Sequence, residues 1–460
     1  MPDGSASVYD ELFSMQNIKK IYRGEVSGRG TAGMDGLTST RFHKQRQEHF
    51  EIIYRKCRNG SFTFTPYKQV LRSKGRNKTP RVISIPTVRD KIVLYILKER
   101  LHAIFDDCVN RKIPNQIIEE ISEYINNVDD QKEVYRTDIK SFYGSIDHET
   151  LEGKLESRVK SEKFLNLIFR AIKTPTVPED YIREKKNKYK RKEGIPQGLS
   201  ISNILAEICL EGFDRYIDEM SNFYARYVDD MLVITDNNIS EVKQSVKDEL
   251  DERGGLEISC KKSYTTNIRK GFQFLGYVFD GDNVTVRRKS IDSFIDSLAG
   301  ILTSFRENFS EMKRKKYNVD AEALKDILVE NVNETITGAI SKDRRYGWVF
   351  YYMEVTDMEL LHRIDSIVES FFERHPKFEK IPNNLKRIVR AYYEARNNPR
   401  GGYIKDYDQY DTLESKREYL DERGFLDPSE VYSSDRIEMM FEREKEKNIS
   451  RLKADTGTLS

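Results

Sequence analysis

The sequence lacks the features of membrane, secreted and zinc-binding proteins. No apolar run approaches the roughly 18–20 residues that cross a bilayer, and the N-terminal segment MPDGSASVYD has no signal-peptide core. The four cysteines are far apart and form no C-x-x-C pair, so neither a zinc knuckle nor a disulfide framework is expected. We therefore expect a soluble, cytoplasmic protein without a membrane partner.

Common nucleotide-binding fingerprints are missing too. The chain has no P-loop, no glycine-rich dinucleotide motif, no internal repeat and no low-complexity tract. Its six histidines are scattered, which is more typical of ordinary core or surface positions than of metal ligands. With 460 residues, 38% apolar and 33% charged, the chain is long enough for about two or three domains. These values indicate a large, highly charged globular protein.

The distribution of charge is more informative than its total, because 78 Lys and Arg nearly balance 76 Asp and Glu. Residues 183–192 contain seven basic residues and a single acid, Glu184, and smaller basic clusters occur at 287–289 and 313–316. Such runs usually form a solvated face, but three of them among tyrosines and phenylalanines also fit a polyanion-binding track. The candidate nucleic-acid-binding residues are Lys185, Lys186, Lys188, Lys190, Arg191 and Lys192.

Hydrophobic periodicity changes along the chain. Residues 1–125 mix short helices with strand-like pieces, and residues 131–280 alternate strands with helices. From about residue 290, apolar residues recur at helical spacing and predict packed helices. Residues 404–460 mix both charge signs densely with few apolar residues, which suggests a peripheral helical tail or an interaction segment.

Two adjacent aspartates, Asp229 and Asp230, lie between the strand-like runs of FYARYVDDMLVITD, residues 223–236. The flanks are rich in aromatic and β-branched residues and predict a tight β-hairpin. Asp is common in turns, because its short side chain can bond to nearby backbone. Crowded carboxylates can also hold divalent cations, since phosphoryl transfer uses two hard cations about 3.5–4 Å apart. The hairpin alone leaves both interpretations open.

The cation interpretation requires a third carboxylate at the end of a neighbouring strand. VYRTDIKSFYGSID predicts a strand that runs into Asp138 and then breaks towards a helix capped by Asp147. Further along, GIPQGLSISNILAEI predicts a Gly/Pro loop that opens a helix, with Ser200 or Ser202 as a candidate cap. Because glycine has no side chain, the backbone at Gly198 could approach a ligand closely.

In this order, DIKSFYGSID, GIPQGLSISNILAEI, YVDD and FQFLGYVF resemble the palm motifs of reverse transcriptases. AGMDGL, PRVISIPTVRDKIV and LEISCKKS resemble flanking motifs of the bacterial branch that includes group II intron and retron enzymes. The resemblance spans about residues 30–280 and implies an α+β right-hand polymerase with an antiparallel palm sheet. The implied domains are an N-terminal extension and fingers at 1–130, a palm at 131–280 with a fingers-type insertion near 175–195, a helical thumb at 281–380 and a C-terminal helical extension at 381–460.

The resemblance implies a metal site. Asp138, Asp229 and Asp230 match the catalytic carboxylates of the family, and the carbonyl of Ile139 matches a further ligand. The implied cofactor is a pair of Mg²⁺ ions, with Mn²⁺ as a substitute.

Two positions match residues that contact the sugar and the triphosphate of the incoming nucleotide. Tyr143 matches the steric gate, an aromatic ring that crowds a ribose 2′-hydroxyl, although an ordinary core aromatic remains the alternative. Arg81 matches the arginine that grips the triphosphate, a role that suits a guanidinium. Lys74 or Lys78 could assist, but a basic loop is often only solvated.

Three further positions match the palm side of the nucleotide site. Gln197 and Gly198 match the loop that contacts the nucleotide and its template base. Lys262 matches the lysine near the leaving pyrophosphate, and the neighbouring Lys261 leaves the register open.

A primer grip, the hairpin that holds the primer's 3′ end, is matched by Phe274, Leu275 and Gly276, with a plain core strand as the rival interpretation. The chain departs from group II intron enzymes at Ser141 and Gly144, where those enzymes more often have Gly and Asp. No Cys/His nuclease motif follows the thumb-like helices, so intron mobility by DNA cleavage is not expected.

The activity implied is RNA-directed DNA synthesis, with dNTPs, a DNA primer and product, and an RNA template. The basic segment 183–192 looks like an insertion placed to touch template or a structured RNA. The extra C-terminal residues resemble those of bacterial reverse transcriptases that act in antiphage defence. This implies a dedicated non-coding RNA and an oligomer or partner protein bound through the C-terminal extension.

Other functions remain open for the same motifs. One is an intron maturase, an RNA-binding splicing cofactor; another is a template-independent or protein-primed DNA polymerase. A non-enzymatic RNA scaffold is disfavoured because the whole carboxylate set is present. Cyclic-dinucleotide synthases also use a palm, but no GGDEF-like turn occurs here.

Overall fold

The computed structural model describes residues 5–27, 31–73, 79–128, 131–182, 188–317 and 319–455. The chain divides into two compact units: unit 1 comprises residues 1–111 and 135–265, and unit 2 comprises residues 112–134 and 266–460. Helices alternate with small, mainly antiparallel sheets, which confirms the α+β class. The finer four-domain division stays a prediction. In the described part of the chain, no helix is long and apolar enough to span a bilayer.

The helices are α1 (Ser5–Leu12), α2 (Met15–Ile21), α3 (Ser39–Lys44), α4 (Arg46–Arg58), α5 (Val88–Ile104), α6 (Pro114–Asn126), α7 (Phe142–Ser145), α8 (His148–Arg158), α9 (Glu162–Lys173), α10 (Ser202–Cys209), α11 (Phe213–Glu219), α12 (Ile239–Asp251), α13 (Arg288–Lys315), α14 (Ala321–Thr337), α15 (Trp348–Tyr351), α16 (Met358–Glu373), α17 (Ile388–Asn397), α18 (Leu413–Glu422) and α19 (Ser434–Asp455). The strands are β1 (Tyr67–Arg72), β2 (Arg81–Ile85), β3 (Glu133–Asp138), β4 (Thr176–Val177), β5 (Phe223–Tyr227), β6 (Asp230–Thr235), β7 (Tyr264–Asn267), β8 (Phe272–Phe274), β9 (Tyr277–Asp280), β10 (Asn283–Val286), β11 (Ala339–Ser341), β12 (Arg344–Tyr346) and β13 (Lys405–Asp406).

A four-stranded sheet with the order β5-β6-β3-β7 carries the predicted carboxylates. The hairpin predicted from FYARYVDDMLVITD is confirmed, because β5 and β6 pair antiparallel and Tyr227 lies opposite Asp230. Every residue of β6 is buried, as expected for an inner strand covered on both faces. Asp138 is the last residue of β3, the strand next to β6.

A second sheet in unit 1 has the order β2-β1-β4. Strands β1 and β2 form an antiparallel hairpin in which Arg72 lies opposite Arg81, and β4 runs parallel to β1. The loop of this hairpin, with Lys74 and Lys78, lies outside the described residues. The sheet therefore fixes Arg81 at the start of β2.

A side-chain cap begins α8 but not α10. Asp147 caps α8 as predicted, because its carboxylate accepts the Thr150 N–H at 2.7 Å. The predicted cap of α10 is wrong: Ile201 is the N-cap and provides no side-chain bond. The Ser202 hydroxyl instead donates to the Pro196 carbonyl at 2.6 Å and ties the preceding loop to the helix.

Unit 2 contains α13–α19 and two three-stranded sheets, β10-β9-β8 and β12-β11-β13. The predicted strand segment FQFLGYVF forms β8 and β9, and the helical spacing after residue 290 is confirmed by α13 and α16. The apolar stripe of α13 is buried at Phe294, Leu298, Leu302 and Phe305.

The described residues after 404 are not the peripheral tail that their charge suggested. Tyr407, Tyr419 and Phe441 are buried and form a core cluster with other side chains of unit 2. The Tyr407 hydroxyl donates to the buried Glu334 carboxylate at 2.6 Å, and β13 pairs with β11. Tyrosine rings supply large apolar area once their hydroxyls are bonded, so this segment builds a core despite its polar composition.

Candidate active site

The β5–β6 hairpin places Asp229 in a two-residue turn and Asp230 at the first position of β6. The carbonyl of Asp229 accepts the Ile139 N–H at 3.0 Å, directly after Asp138. This bond fastens the turn to the end of β3. The fold therefore brings the three predicted carboxylates to one edge of the sheet.

The three carboxylates interact through their charges. Asp138 is 5% exposed and Asp230 is 9% exposed. Burial, followed by the charges of Asp138 and Asp230, raises the pKa of Asp229 to about 6. Burial also raises the pKa of Asp230, with a further contribution from Asp138 and opposition from Arg136. Crowded, largely buried acids of this kind favour binding of a cation.

Two basic side chains are paired with the carboxylates. The Lys262 ammonium lies 2.5 Å from Asp138 Oδ2, and the Arg136 guanidinium lies 2.9 Å from Asp230 Oδ1. The first pair shows that Lys262, and not Lys261, is the lysine that reaches the carboxylates. Arg136 was missed by the sequence reasoning. It stands two residues before Asp138 on β3, hence on the same face of the strand, and that alternation was the available signal.

The donor set fits divalent metal ions. Carboxylate and carbonyl oxygens are the ligands that Mg²⁺ prefers, and Asp138, Asp229, Asp230 and the Ile139 carbonyl would supply them. Burial and then the charges of Asp138 and Asp230 disfavour the ionised Asp229 carboxylate, and added positive charge would stabilise that carboxylate.

A second group of possible ligands lies elsewhere in unit 1. In the described residues, the ligand atoms of Asp107, Cys108 and Glu211 lie within 4.8 Å of one another. Arg158 forms ion pairs with both Asp107 and Glu211. The negative charge of this group is therefore already offset, and we assign no metal to it.

Tyr143 lies in α7, immediately beyond Ser141, which has the left-handed backbone angle φ 51°. Its ring is 6% exposed, and its hydroxyl donates to Asn203 at 2.7 Å. Burial and then the Asp229 charge raise the pKa of the phenol, which locates the ring beside the carboxylates. The position suits a gate, and the gate function stays a prediction.

The Gln197–Gly198 loop packs against β2. The Ser84 N–H donates to the Gln197 carbonyl at 2.7 Å. Gly198 has φ 102°, and a Cβ there would lie 2.8 Å from Ile83 Cγ2 and 3.0 Å from the Ser84 carbonyl. The structure thus explains this glycine by close approach to β2, where the sequence had suggested approach to a ligand. Gly198 remains exposed, and its contact with a nucleotide stays a prediction.

Arg81 begins β2, three residues before the Ser84 contact with this loop. Its charge acts on the Tyr143 hydroxyl and opposes the rise of that pKa. The predicted triphosphate arginine, the predicted gate and the carboxylates are therefore within electrostatic reach of one another.

The basic segment is only partly described. Lys185 and Lys186 lie outside the described residues, whereas Lys188, Lys190 and Lys192 are exposed. Arg191 differs, because burial lowers its pKa and its buried Nε finds no hydrogen-bond partner among the described residues. Nucleic-acid binding by the exposed lysines stays a prediction.

The predicted primer grip lies in unit 2, in the turn between β8 and β9. Phe274 and Leu275 are fully buried, and a Cβ on Gly276 would lie 2.7 Å from the Tyr352 hydroxyl. The Tyr351 hydroxyl donates to the Leu275 carbonyl at 2.9 Å. These side chains pack in the core of the hairpin, and their contact with a primer stays a prediction.

Comparisons with known proteins agree with the motifs. Residues 68–279 match the family described as reverse transcriptase (RNA-dependent DNA polymerase). Protein YkfC of Escherichia coli (strain K12) is 21% identical over 296 residues, which cover 54% of this chain and 76% of YkfC. The group II intron-encoded protein LtrA of Lactococcus lactis subsp. cremoris is 25% identical over 210 residues, 45% of this chain and 34% of LtrA.

Among solved structures, telomerase from Candida albicans in complex with a fragment of telomeric RNA aligns with a TM-score of 0.40 and 13% identity. The alignment covers 73% of this chain and 69% of the telomerase chain.

The matched range, residues 68–279, contains the three carboxylates, Tyr143, the Gln197 loop and Lys262. The family match and the sheet that gathers these residues lead to the same conclusion. Residues 68–279 therefore form a reverse transcriptase (RNA-dependent DNA polymerase) domain.

Proposed function

We propose that this protein copies a dedicated, structured non-coding RNA into DNA, extending a DNA primer with dNTPs. The observation that carries the proposal is the meeting of Asp138, Asp229 and Asp230 on adjacent strands beside Tyr143. The chain spans only a third of LtrA, so the activity of the whole protein is inferred from its own site.

Each side chain around the carboxylates is proposed to have its own role in nucleotide binding. Mg²⁺ held by the three aspartates would offset charge on the phosphates. Arg81 would bind the triphosphate through paired N–H donors, as guanidinium groups do. The Tyr143 ring, fixed by Asn203, would exclude a ribose 2′-hydroxyl. Lys262, whose ammonium pairs with Asp138, would stabilise developing negative charge on the leaving group.

RNA recognition is proposed to be largely electrostatic. The exposed Lys188, Lys190 and Lys192 support it, because lysines that neutralise phosphates release counterions and make binding salt-dependent. The C-terminal extension is proposed to bind a partner protein or a second copy of the chain.

We further propose that the protein acts in the cytoplasm in defence against phage. The support is the resemblance of the C-terminal segment to defence-associated reverse transcriptases. Phage plaques counted on cells that express the protein should be fewer than on cells with the Asp229→Asn variant. Equal plaque numbers across a broad phage panel would contradict the defence role and leave the polymerase proposal standing.

A group II intron-encoded splicing cofactor is the second candidate, favoured by the likeness to LtrA over 210 residues. Restored splicing of an adjacent intron RNA by the Asp229→Asn variant would support it, because splicing help needs RNA binding and not DNA synthesis.

The template is tested with protein purified together with its bound nucleic acid. After addition of dNTPs and Mg²⁺, the RNA and any new DNA are sequenced beside an Asp229→Asn control. One defined RNA with complementary DNA is the expected result. Low-complexity DNA that matches no bound RNA would replace templated synthesis with untemplated synthesis. No DNA from the wild-type protein would contradict the proposal.

A further inference from the structure

Arg226 lies on β5, and all five N–H donors of its guanidinium form hydrogen bonds within unit 1. Its side chain is 1% exposed. Nε and Nη2 donate to the two oxygens of Asp214, each at 2.6 Å. Nη1 and Nη2 donate to the two oxygens of Glu207 at 3.3 and 2.6 Å. The fifth donor goes to backbone: Nη1 lies 2.9 Å from the Val228 carbonyl.

That backbone acceptor belongs to the catalytic turn. Val228 directly precedes Asp229 and has φ 58°, a conformation that β-branched residues rarely adopt. Such backbone persists only where the surroundings over-determine it. The surroundings here are two bonds, from Arg226 to the Val228 carbonyl and from the Ile139 N–H to the Asp229 carbonyl. Both peptide groups of the turn are thereby fixed.

The acids that hold the guanidinium come from two helices. Glu207 lies on α10, four residues after Asn203, so both face the same side of that helix. Asn203 accepts the Tyr143 hydroxyl bond, and Glu207 accepts the Arg226 bonds. Helix α10 therefore links the predicted gate to the hairpin that carries Asp229 and Asp230.

We propose that Arg226 is a positioning residue for nucleotidyl transfer: it holds the Val228 peptide, and through it the Asp229 carboxylate, in register with Asp138. The inference rests on the proposed function. A role in stability alone is the rival, but a buried ion pair is weak support for stability. The positioning role predicts an effect on metal binding and turnover that loss of stability does not.

The test compares Arg226→Lys with Arg253→Lys. Lysine keeps the charge but cannot satisfy Asp214, Glu207 and the Val228 carbonyl together. Arg253 is a matched control, because it is also largely buried and paired with a carboxylate, Glu249, away from the hairpin. Three quantities are measured for each protein: kcat and KM for dTTP on a poly(rA)/oligo(dT) duplex, Mn²⁺ affinity by electron paramagnetic resonance, and the melting temperature.

For Arg226→Lys we expect kcat to fall about 100-fold, as for a catalytic group displaced by about 1 Å, with KM for dTTP unchanged. Mn²⁺ should bind about tenfold more weakly. Arg253→Lys should lose melting temperature but keep kcat and Mn²⁺ affinity. The inference is overturned if folded Arg226→Lys keeps the wild-type kcat and Mn²⁺ affinity, or if both variants lose kcat in proportion to melting temperature.

If Arg226→Lys does not fold, kcat and Mn²⁺ affinity are measured for Asp214→Asn instead. Asp214 is 39% exposed, so its neutralisation leaves Arg226 still paired with Glu207. A lower kcat with weaker Mn²⁺ binding supports positioning, and wild-type values overturn it. If the wild-type protein incorporates no dTTP, the proposed function has failed, and the Mn²⁺ affinities of the same variants test the positioning of Asp229 independently.

Discussion

The hydroxyl of Tyr143 donates a hydrogen bond to the side-chain oxygen of Asn203, with 2.7 Å between the two oxygens. The bond joins α7, which follows the Asp138 strand, to the first turn of α10, which follows the Gln197 loop. The Tyr143 ring is buried and its hydroxyl is hydrogen-bonded to Asn203. These contacts fix the ring in position relative to the carboxylates. A rigid ring is what discrimination between sugars requires.

Tyr143→Ala should admit ribonucleotides, because it removes the ring proposed to crowd the 2′-hydroxyl. The ratio of kcat/KM for dTTP to that for UTP should fall about 100-fold. Asn203→Ala should move the ratio the same way by about fivefold, the effect of one net hydrogen bond of about 1 kcal/mol. Asn166→Ala, an exposed asparagine on α9, is the control. If Tyr143→Ala leaves the ratio of kcat/KM for dTTP to that for UTP unchanged, Tyr143 is not the steric gate.

Lys262→Ala should lower kcat for dNTP incorporation by about tenfold or more, because its ammonium is held at Asp138, next to the proposed leaving group. Lys261→Ala is the matched control. Its kcat should be close to the wild-type value, because Lys262, and not this exposed neighbour, pairs with Asp138. Single-turnover incorporation measures both. Equal losses in the two variants would mean that the local charge matters and the Asp138 pairing does not.

Asp90 predicts a pH dependence of stability. Burial raises its pKa from 3.8 to about 7, against the hydrogen bonds from Thr87 and the Thr65 backbone. An acid with a raised pKa binds its proton more tightly in the folded state, so its contribution is complete at low pH and lost as pH rises through about 7. The loss is at most about 4 kcal/mol.

Melting temperatures of wild type and Asp90→Asn between about pH 5 and pH 8 measure this effect. The variant cannot ionise, so its stability relative to wild type should rise with pH across that window. Parallel curves would show that Asp90 keeps one protonation state throughout.

Tyr407→Phe should destabilise unit 2 by about 1–3 kcal/mol, because it leaves the Glu334 carboxylate, 3% exposed, without its hydroxyl donor. Urea unfolding measures the change. Tyr393→Phe is the control, since Tyr393 is 52% exposed. Equal stability of the two variants would indicate that the C-terminal cluster contributes little to folding.

The parts of the site that are local in sequence could be predicted. Aromatic and β-branched residues on both sides of Asp229 predict the hairpin, and the strand that ends at Asp138 is predicted in the same way. Arg136 could also have been predicted, because it lies two residues before Asp138 on β3 and therefore on the same face of the strand.

What could not be predicted depends on residues far apart in the chain. Glu207, Asp214 and Arg226 form one network only once α10, α11 and β5 are packed together. The C-terminal core was missed because residues 404–460 are densely charged, although Tyr407 in that segment is buried with its hydroxyl bonded to Glu334. The sequence suggested that Gly198 approaches a ligand, which stays a prediction, and it did not reveal the close approach of Gly198 to β2.

The most direct test of the whole account is dTTP incorporation on an RNA template with a DNA primer, comparing Asp229→Asn with wild type and with Asp218→Asn, an exposed aspartate of α11. The account predicts that Asp229→Asn loses incorporation while RNA affinity, measured by filter binding in the same buffer, stays at the wild-type value, and that Asp218→Asn retains both. Incorporation by Asp229→Asn at the wild-type rate would contradict the assignment of the catalytic carboxylates.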